Sequence, residues 1–247
     1  MKNQSETHLE TRHTASLERM LSSFGPLGAD DIAYIRDCFT GALQTHAAGT
    51  PVILAPERNE ARLVFKGWAA RGAMLEDGRR QIVGLNLPGE MIVASGAVDT
   101  DMLVWALTDV VTIDGTAFWT GMSELRTQSA PLLEAWRHYR TAERLRMARQ
   151  VIRLGRLSAY ERTAHLLLEL HERQARLGPV VAGVLHLPLT QDILADILGL
   201  SAVHMNRTLQ QLRRNALVDY RAGRAVLQNL TSLAQAANLS ADCGPSL

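Results

Sequence analysis

Leu189-Thr190-Gln191-Asp192-Ile193-Leu194-Ala195-Asp196-Ile197-Leu198-Gly199-Leu200-Ser201, running on to Arg214, is the most informative segment of this 247-residue chain. Thr190 is a helix-capping residue, and Leu189 and Leu194 flank it as a hydrophobic staple. The helix this predicts is short and stops at Gly199, which adopts the left-handed conformation at low cost. Ser201 caps a second helix almost at once. Ala195 is small where the two helices must approach closely, and Ile193, Leu194, Ile197, Leu198, Leu200, Met205, Leu209 and Leu212 supply the buried faces. Two short helices, a tight turn holding a glycine and a small residue at the crossing spell a helix-turn-helix.

The second helix leaves Ser201, Val203, His204, Asn206, Arg207, Gln210, Arg213 and Arg214 on its outer side. Arginine donates two hydrogen bonds to guanine, and asparagine or glutamine pairs with adenine. Arg213 and Arg214, further along, suit phosphates, which add affinity without sequence information. Leu217-Val218-Asp219-Tyr220-Arg221, Ala222-Gly223 and Arg224-Ala225-Val226-Leu227 then predict a hairpin with a basic tip at Arg224, a wing. An ordinary helical pair with a solvated face would share the apolar spacing. The wing in this order favours double-stranded DNA as the partner.

Upstream, Ser158 with Glu161 forms a capping box that opens a helix ending at Gly178-Pro179. Ser129 to Leu154 reads as one long helix with a patchy apolar stripe of Leu133, Trp136, Leu145, Ala148 and Ile152, flanked by Met147, Val151 and Leu154. It is not a clean heptad. Residues 50–118 read as short strands: Val52-Ile53-Leu54, Leu63-Val64-Phe65, Gln81-Ile82-Val83 and Val110-Val111-Thr112-Ile113. Asp77-Gly78, Pro88-Gly89 and Asp114-Gly115 punctuate them as turns. Lys66 to Asn86 reads as a hairpin with Glu76-Asp77-Gly78 at its tip, and the set suggests a small antiparallel barrel or roll. Ser16–Phe24 and Asp30–Phe39 read as short helices capped by Ser16 and Asp30.

The net charge of +1 hides an asymmetry. Residues 1–125 carry 10 basic and 16 acidic side chains, and residues 126–247 carry 16 and 9. An acidic half that avoids nucleic acid and a basic half that meets it is the expectation. No apolar run approaches the ~20 residues needed to cross a membrane, and residues 1–14 lack the apolar core of a signal peptide. A cytoplasmic location without membrane contact is expected. The two cysteines, Cys38 and Cys243, are too few and too far apart for a disulfide framework, a zinc site or an iron–sulfur cluster. No nucleophile elbow, P-loop or dinucleotide fingerprint appears, and His165 and His171 do not share metal-pair spacing, so neither an enzyme nor a metal site is expected.

The order of these parts resembles the superfamily of the cyclic-AMP receptor protein and the fumarate–nitrate regulator (Crp/Fnr). The resemblance covers about residues 16–235 and is strongest over Pro188–Leu230. Gly67-Trp68-Ala69, Asp77-Gly78-Arg79-Arg80-Gln81-Ile82 and Leu107-Thr108-Asp109 are similar to the regulators of alphaproteobacteria. It implies an α+β fold. A tail (1–15) precedes a sensory antiparallel β-roll like a cyclic-nucleotide-binding domain (16–125). A long dimerisation helix (126–156), a winged helix-turn-helix (157–235) and a second tail (236–247) follow. It implies a homodimer on a roughly palindromic site, with Arg207 as the guanine-reading arginine and Thr190 and Gln191 at phosphate-contacting positions. Asn206 falls where one branch has a base-contacting serine. Val203 replaces a glutamate that reads cytosine and can touch only a thymine methyl. RNA polymerase is a further partner for an activator, though no residue marks that surface.

In nucleotide-binding members, the Gly-Glu matched here by Gly89-Glu90 is followed by an arginine and a hydroxyl residue that hold the cyclic phosphate. From Met91 to Asp109 this chain has no Lys or Arg, but it has Asp99, Asp101 and Asp109. A buried phosphate needs cations or convergent donors. The effector pocket is therefore expected to be degenerate, not binding cyclic nucleotide in the usual way, with Glu90 as a turn residue. No cofactor is expected. A cyclic-nucleotide-responsive regulator, a haem-responsive one using His13, His46 or another of the eight histidines, and one with no ligand remain alternatives.

Overall fold

Described in the computed structural model of the chain are residues 13–52, 60–93, 102–124, 129–178, 183–221 and 223–238. Among the described residues, two short helices come first, α1 (Ala15–Ser22) and α2 (Ala29–Asp37). Their caps are not the ones expected from sequence. Thr14, rather than Ser16, precedes α1, and its hydroxyl donates to Glu18 Oε1 at 2.6 Å. Gly28, rather than Asp30, precedes α2, and Asp31 reaches back to accept from Gly28 N at 2.8 Å. In α2 an acidic side chain inside the first turn thus satisfies a backbone donor in place of a cap side chain, whereas Thr14 makes no side-chain cap bond to α1.

Among the described residues, seven strands follow: β1 (Gln44–His46), β2 (Ala61–Lys66), β3 (Ala69–Met74), β4 (Arg80–Asn86), β5 (Met91–Val93), β6 (Leu103–Ala106) and β7 (Val110–Asp114). They form two antiparallel sheets, ordered β1-β7-β2-β5 and β4-β3-β6. Side chains alternate between faces along each strand. Val64, Ile92 and Val110 of the first sheet thus meet Ala69 and Ala106 of the second, with Val52, in a dry inner core. Leu63, Met91 and Ile113 point the other way and are also buried. The expected hairpin from Lys66 to Asn86 is present as β3 and β4. Val52 lies in no strand, and Ile53 and Leu54 of the same predicted run lie outside the described residues.

Helix α3 (Thr116–Ser123) and the 27-residue α4 (Ala130–Arg156) come next. Ser129 Oγ accepts from Leu132 N at 3.3 Å at the start of α4. The first half of α4 is amphipathic. Trp136 packs edge-on against Phe118, with ring centroids 5.3 Å apart, and Phe118 lies 5.5 Å from Phe39. The Tyr139 hydroxyl accepts from Met91 N at 3.1 Å, which ties the helix to β5. The second half of α4 instead leaves Leu145, Met147, Val151 and Ile152 exposed.

Helix α5 (Ala159–Ala175) opens at the expected capping box of Ser158 and Glu161. Then come β8 (Val184–His186), α6 (Gln191–Leu198), α7 (Ala202–Arg214), β9 (Val218–Arg221), β10 (Arg224–Leu227) and α8 (Leu230–Ala236). The third sheet runs β8-β10-β9. The predicted wing is thus β9 and β10 with an added strand, β8, that carried too short a signal to be read from sequence. The chain divides into two compact units, one of residues 1–73 and 85–143, the other of residues 74–84 and 144–247. Helices and antiparallel sheets make it an α+β protein. Among the described residues, no helix is long and apolar enough to cross a membrane.

Candidate nucleic-acid interface

The helix-turn-helix forms for the reasons its sequence suggests. Thr190 Oγ1 accepts from Ile193 N at 3.2 Å, and Ser201 Oγ accepts from His204 N at 3.2 Å. Each hydroxyl satisfies one donor that the first turn of a helix leaves open. Gly199 ends α6 at φ 61, ψ 42, in the left-handed region. Leu189, Leu194, Ala195, Ile197, Leu198, Met205, Leu209 and Leu212 are buried. Ile193 and Leu200, expected in the core, are only half-buried.

The outer face of α7 presents Ser201, Val203, His204, Arg207, Gln210, Arg213 and Arg214 to solvent, with Val203 63% exposed. Ser201, Val203, His204 and Arg207 line one concavity. Gln191, Asn206, Gln210, Arg213 and Tyr220 line a second. Arg207 has no hydrogen bond or ion pair among the described residues, so its guanidinium is free to bind.

Asn206 differs from its expected open position. It is half-buried and held between two amides, donating to Gln191 Oε1 at 2.9 Å and accepting from Gln210 Nε2 at 2.8 Å. This row fixes which end of each amide faces outward. Arg213 is also engaged: its Nε and Nη2 lie 3.0 and 2.9 Å from Asp219 Oδ1, and Nη2 donates to Tyr220 O at 3.0 Å. It therefore joins α7 to β9 of the wing. Tyr220 in turn donates to Leu189 O, and burial pushes its phenol pKa up. Arg214 and Arg224 are exposed, Arg224 at the start of β10 beside the wing tip.

The last carbonyls of a helix have no partner within it, and here side chains from three other segments of the same unit fill that role. Gln81 Nε2 donates to Asp196 O at 3.0 Å, Gln150 Nε2 to Ile197 O at 2.7 Å, and Arg162 Nη1 to Leu198 O at 2.9 Å. Arg80 Nη2 lies 2.8 Å from Asp196 Oδ2. Burial raises the pKa of that carboxyl, and Arg80 offsets part of the rise. The eight-residue α6 is too short to be stable alone. Its turn is held by the hairpin end, by α4 and by α5.

Behind this turn lies a buried polar cluster. Arg153, 2% exposed, donates to Gln150 Oε1, to His165 Nδ1 at 2.9 Å and to Glu169 Oε2 at 2.5 Å. Arg173 Nη1 reaches Glu169 Oε1 at 3.4 Å. Burial, followed by the charge of Arg153, lowers the His165 pKa to about 4. Burial alone would raise the Glu169 pKa, but Arg153 and Arg173 outweigh it and hold the carboxyl below its usual range. Sequence reading missed this cluster, although His165, Glu169 and Arg173, each four residues apart among leucines, were a visible signal.

In the first unit, Gly89 sits at φ 89, and a Cβ there would come within 2.9 Å of the Ser16 backbone. Glu90 is buried and accepts from Leu87 N at 3.0 Å. Both residues of the expected effector pair have structural employment in the turn before β5. The motifs of the resemblance also meet: Trp68 N donates to Thr108 Oγ1 at 3.0 Å and Leu107 N to Trp68 O at 2.8 Å. His13 stacks edge-on to Phe65, and His46 Nε2 lies 3.2 Å from Thr112 Oγ1. Cys38 is half-buried, and burial pushes its thiol pKa up. Cys243 lies outside the described residues. Among the described residues, no group of three or more His, Cys, Asp or Glu is placed to hold a metal ion.

A helix-turn-helix with an open polar face and a three-stranded wing defines a DNA-binding module of the winged-helix class. Comparison with known proteins agrees. Residues 161–236 match a Crp-like helix-turn-helix domain. The chain is 30% identical over 192 residues to the transcriptional activator protein FnrL of Cereibacter sphaeroides, covering 74% of this chain and 75% of FnrL. It is 29% identical over 153 residues to the nitrogen fixation regulation protein FixK of Rhizobium meliloti, covering 62% of this chain and 66% of FixK. The structure of FixK2 from Bradyrhizobium japonicum superposes with a TM-score of 0.66 at 22% identity, covering 81% of this chain and 99% of that one. The chain belongs to the Crp/Fnr family of transcription regulators, with a helix-turn-helix DNA-binding domain, and it is not an enzyme.

Proposed function

We propose that this chain is a homodimeric, sequence-specific regulator that lays α7 in the major groove of double-stranded DNA. The free guanidinium of Arg207, on the exposed face that begins at Ser201, carries this reading. Arg207 reads guanine. Asn206 and Gln210, held in a fixed row, and Val203 and His204 meet neighbouring base edges. Thr190, Gln191, Ser201, Arg214 and Arg224 contact phosphates, with the wing beside them. The exposed Leu145, Met147, Val151 and Ile152 of α4 form the seam with a second copy. In this division residues 16–125 are the sensory part, 126–156 the dimerisation helix and 157–235 the DNA-binding part, and the protein works in the cytoplasm.

We further propose that the sensory part does not hold cyclic nucleotide in the family's usual way. The turn roles of Gly89 and Glu90 support this. Calorimetry with cyclic AMP and cyclic GMP tests it, and micromolar binding of either would overturn it. For DNA, genome-wide footprinting supplies the site, and gel shifts then compare it with random duplex. Arg207→Ala is expected to cost roughly 1–3 kcal/mol on the cognate site and little on random DNA. Equal losses on both would remove Arg207 from base reading.

A further inference from the structure

Arg62 stands out by its burial, its direction and two of its donors. It lies on β2 opposite Ile92 of β5 and Asp114 of β7. Ile92 and Val64, two residues along from Arg62, both belong to the inner core of the roll. Arg62 therefore projects to that same inner side. It is only 9% exposed. Its Nη2 is engaged by Glu60, but Nε and Nη1 are buried with no hydrogen-bond partner among the described residues. Buried donors are almost always paired, and a buried cation is costly unless it is.

A second arginine approaches from the facing sheet. Arg71 lies two residues along β3 from the inward-facing Ala69, and its Nη2 donates to Val93 O at 2.8 Å. Val93 directly follows Ile92, the residue opposite Arg62. Two sheets thus send one guanidinium each toward the same end of β5, inside the roll. Among the described residues, Glu60 is the one carboxylate paired with either. His46 faces inward beside Thr112, and burial, followed by the charge of Arg62, holds its pKa below the usual range, so it adds no competing cation.

Resting on the reading of the roll as the sensory part, we propose that its interior binds a small organic oxyanion, a carboxylate or a phosphate. Its oxygens take the open donors of Arg62, and Arg71 is the second cation. Such a site needs no cation from the Met91–Asp109 stretch, because β2 and β3 supply both.

Calorimetry on the full chain tests this, with inorganic phosphate and with succinate as probes, in chloride buffer at constant ionic strength. At least one probe is expected to bind saturably. Phosphate alone would indicate a phosphoryl ligand, and succinate alone a carboxylate. Arg62→Met should weaken that binding about tenfold or more, because it removes a charge-assisted hydrogen bond. Arg71→Met should weaken it too, whereas Arg79→Met on the exposed hairpin tip should not. If Arg62→Met fails to fold by circular dichroism, Arg71→Met and Arg62→Lys carry the comparison, since lysine keeps the charge but loses the planar donor fork. No saturable heat with either probe, or affinity unchanged in the folded Arg62 and Arg71 variants, overturns the proposal. No DNA is present, so the two readings fail separately. A chain that binds the probe but no DNA keeps this site and loses the regulator, and the converse result does the opposite.

Discussion

Replacing Arg153 by alanine should destabilise the second unit by about 3 kcal/mol. The side chain is 2% exposed and bonds Gln150, His165 and Glu169 at once. Removing one partner of a buried ion pair costs roughly 3–5 kcal/mol, because the remaining charge stays buried. Glu169 keeps Arg173, but only at 3.4 Å, which places the loss at the lower end of that range. Gln150 also loses its anchor, and with it the amide that donates to Ile197 O at 2.7 Å and Ile82 O at 3.3 Å. Urea unfolding of the full chain, followed by circular dichroism at one fixed protein concentration, measures the effect as a shift in midpoint at constant slope. The double variant Arg153→Met/Glu169→Leu supplies the check. It removes the closer ion pair and keeps volume, so its loss should be smaller than the sum of its singles. A loss below about 1 kcal/mol for Arg153→Ala, or a double variant as weak as the sum of its singles, would refute the account of the cluster as a coupled buried unit.

Acid should weaken the same unit in a defined window. His165 has a folded pKa of about 4, set first by burial and then by Arg153. The unfolded chain, with an ordinary value near ~6.5, binds the proton that the folded chain refuses. Stability is therefore full above about pH 6.5 and falls between there and about pH 4, by up to roughly 3 kcal/mol. As pH falls through the ordinary carboxylate pKa of about 4.3 and lower, the depressed Glu169 carboxyl adds a further loss. His165→Phe should flatten the upper part of the curve in urea titrations at stepped pH, and an unchanged slope would remove His165 as the cause. Gly199→Ala should cost roughly 1–2 kcal/mol from its left-handed φ of 61, with the added Cβ 3.2 Å from Leu154 Cδ2. Urea unfolding and gel shifts should show stability and DNA affinity falling together. Arg213→Ala should weaken binding to all sequences alike. If it acts by holding the wing, Asp219→Ala should mimic it in gel shifts, whereas a phosphate-reading Arg213 would be freed by Asp219→Ala and bind more tightly.

What could be read beforehand was local. The helix-turn-helix depends on Thr190, Gly199 and Ser201, whose hydrogen bonds and dihedral angles lie within three or four residues of themselves, and on leucines repeating at helical spacing. The same holds for the Ser158–Glu161 box and for the long helix after Ser129. The caps of the first two helices fell elsewhere because Asp31, from inside the first turn, reaches back to Gly28 N and Thr14 bonds Glu18 instead, and a single sequence offers no way to rank such alternatives. The strand β8 escaped because three residues carry too little alternation to register.

Sequence alone therefore determined the kind of module: the helix-turn-helix, its caps, its wing and its exposed Arg207, all of which depend on neighbours along the chain. Folding in three dimensions decided the rest. Gln81 meets Asp196 across 115 residues of chain. Arg153 is buried although it lies on a helix whose neighbouring residues Val151 and Ile152 are exposed. The cations absent from the Met91–Asp109 stretch are brought in by Arg62 and Arg71 from two different sheets. A hydrogen bond or ion pair depends on separation in space, and only the packed chain determines which distant residues come within 3 Å.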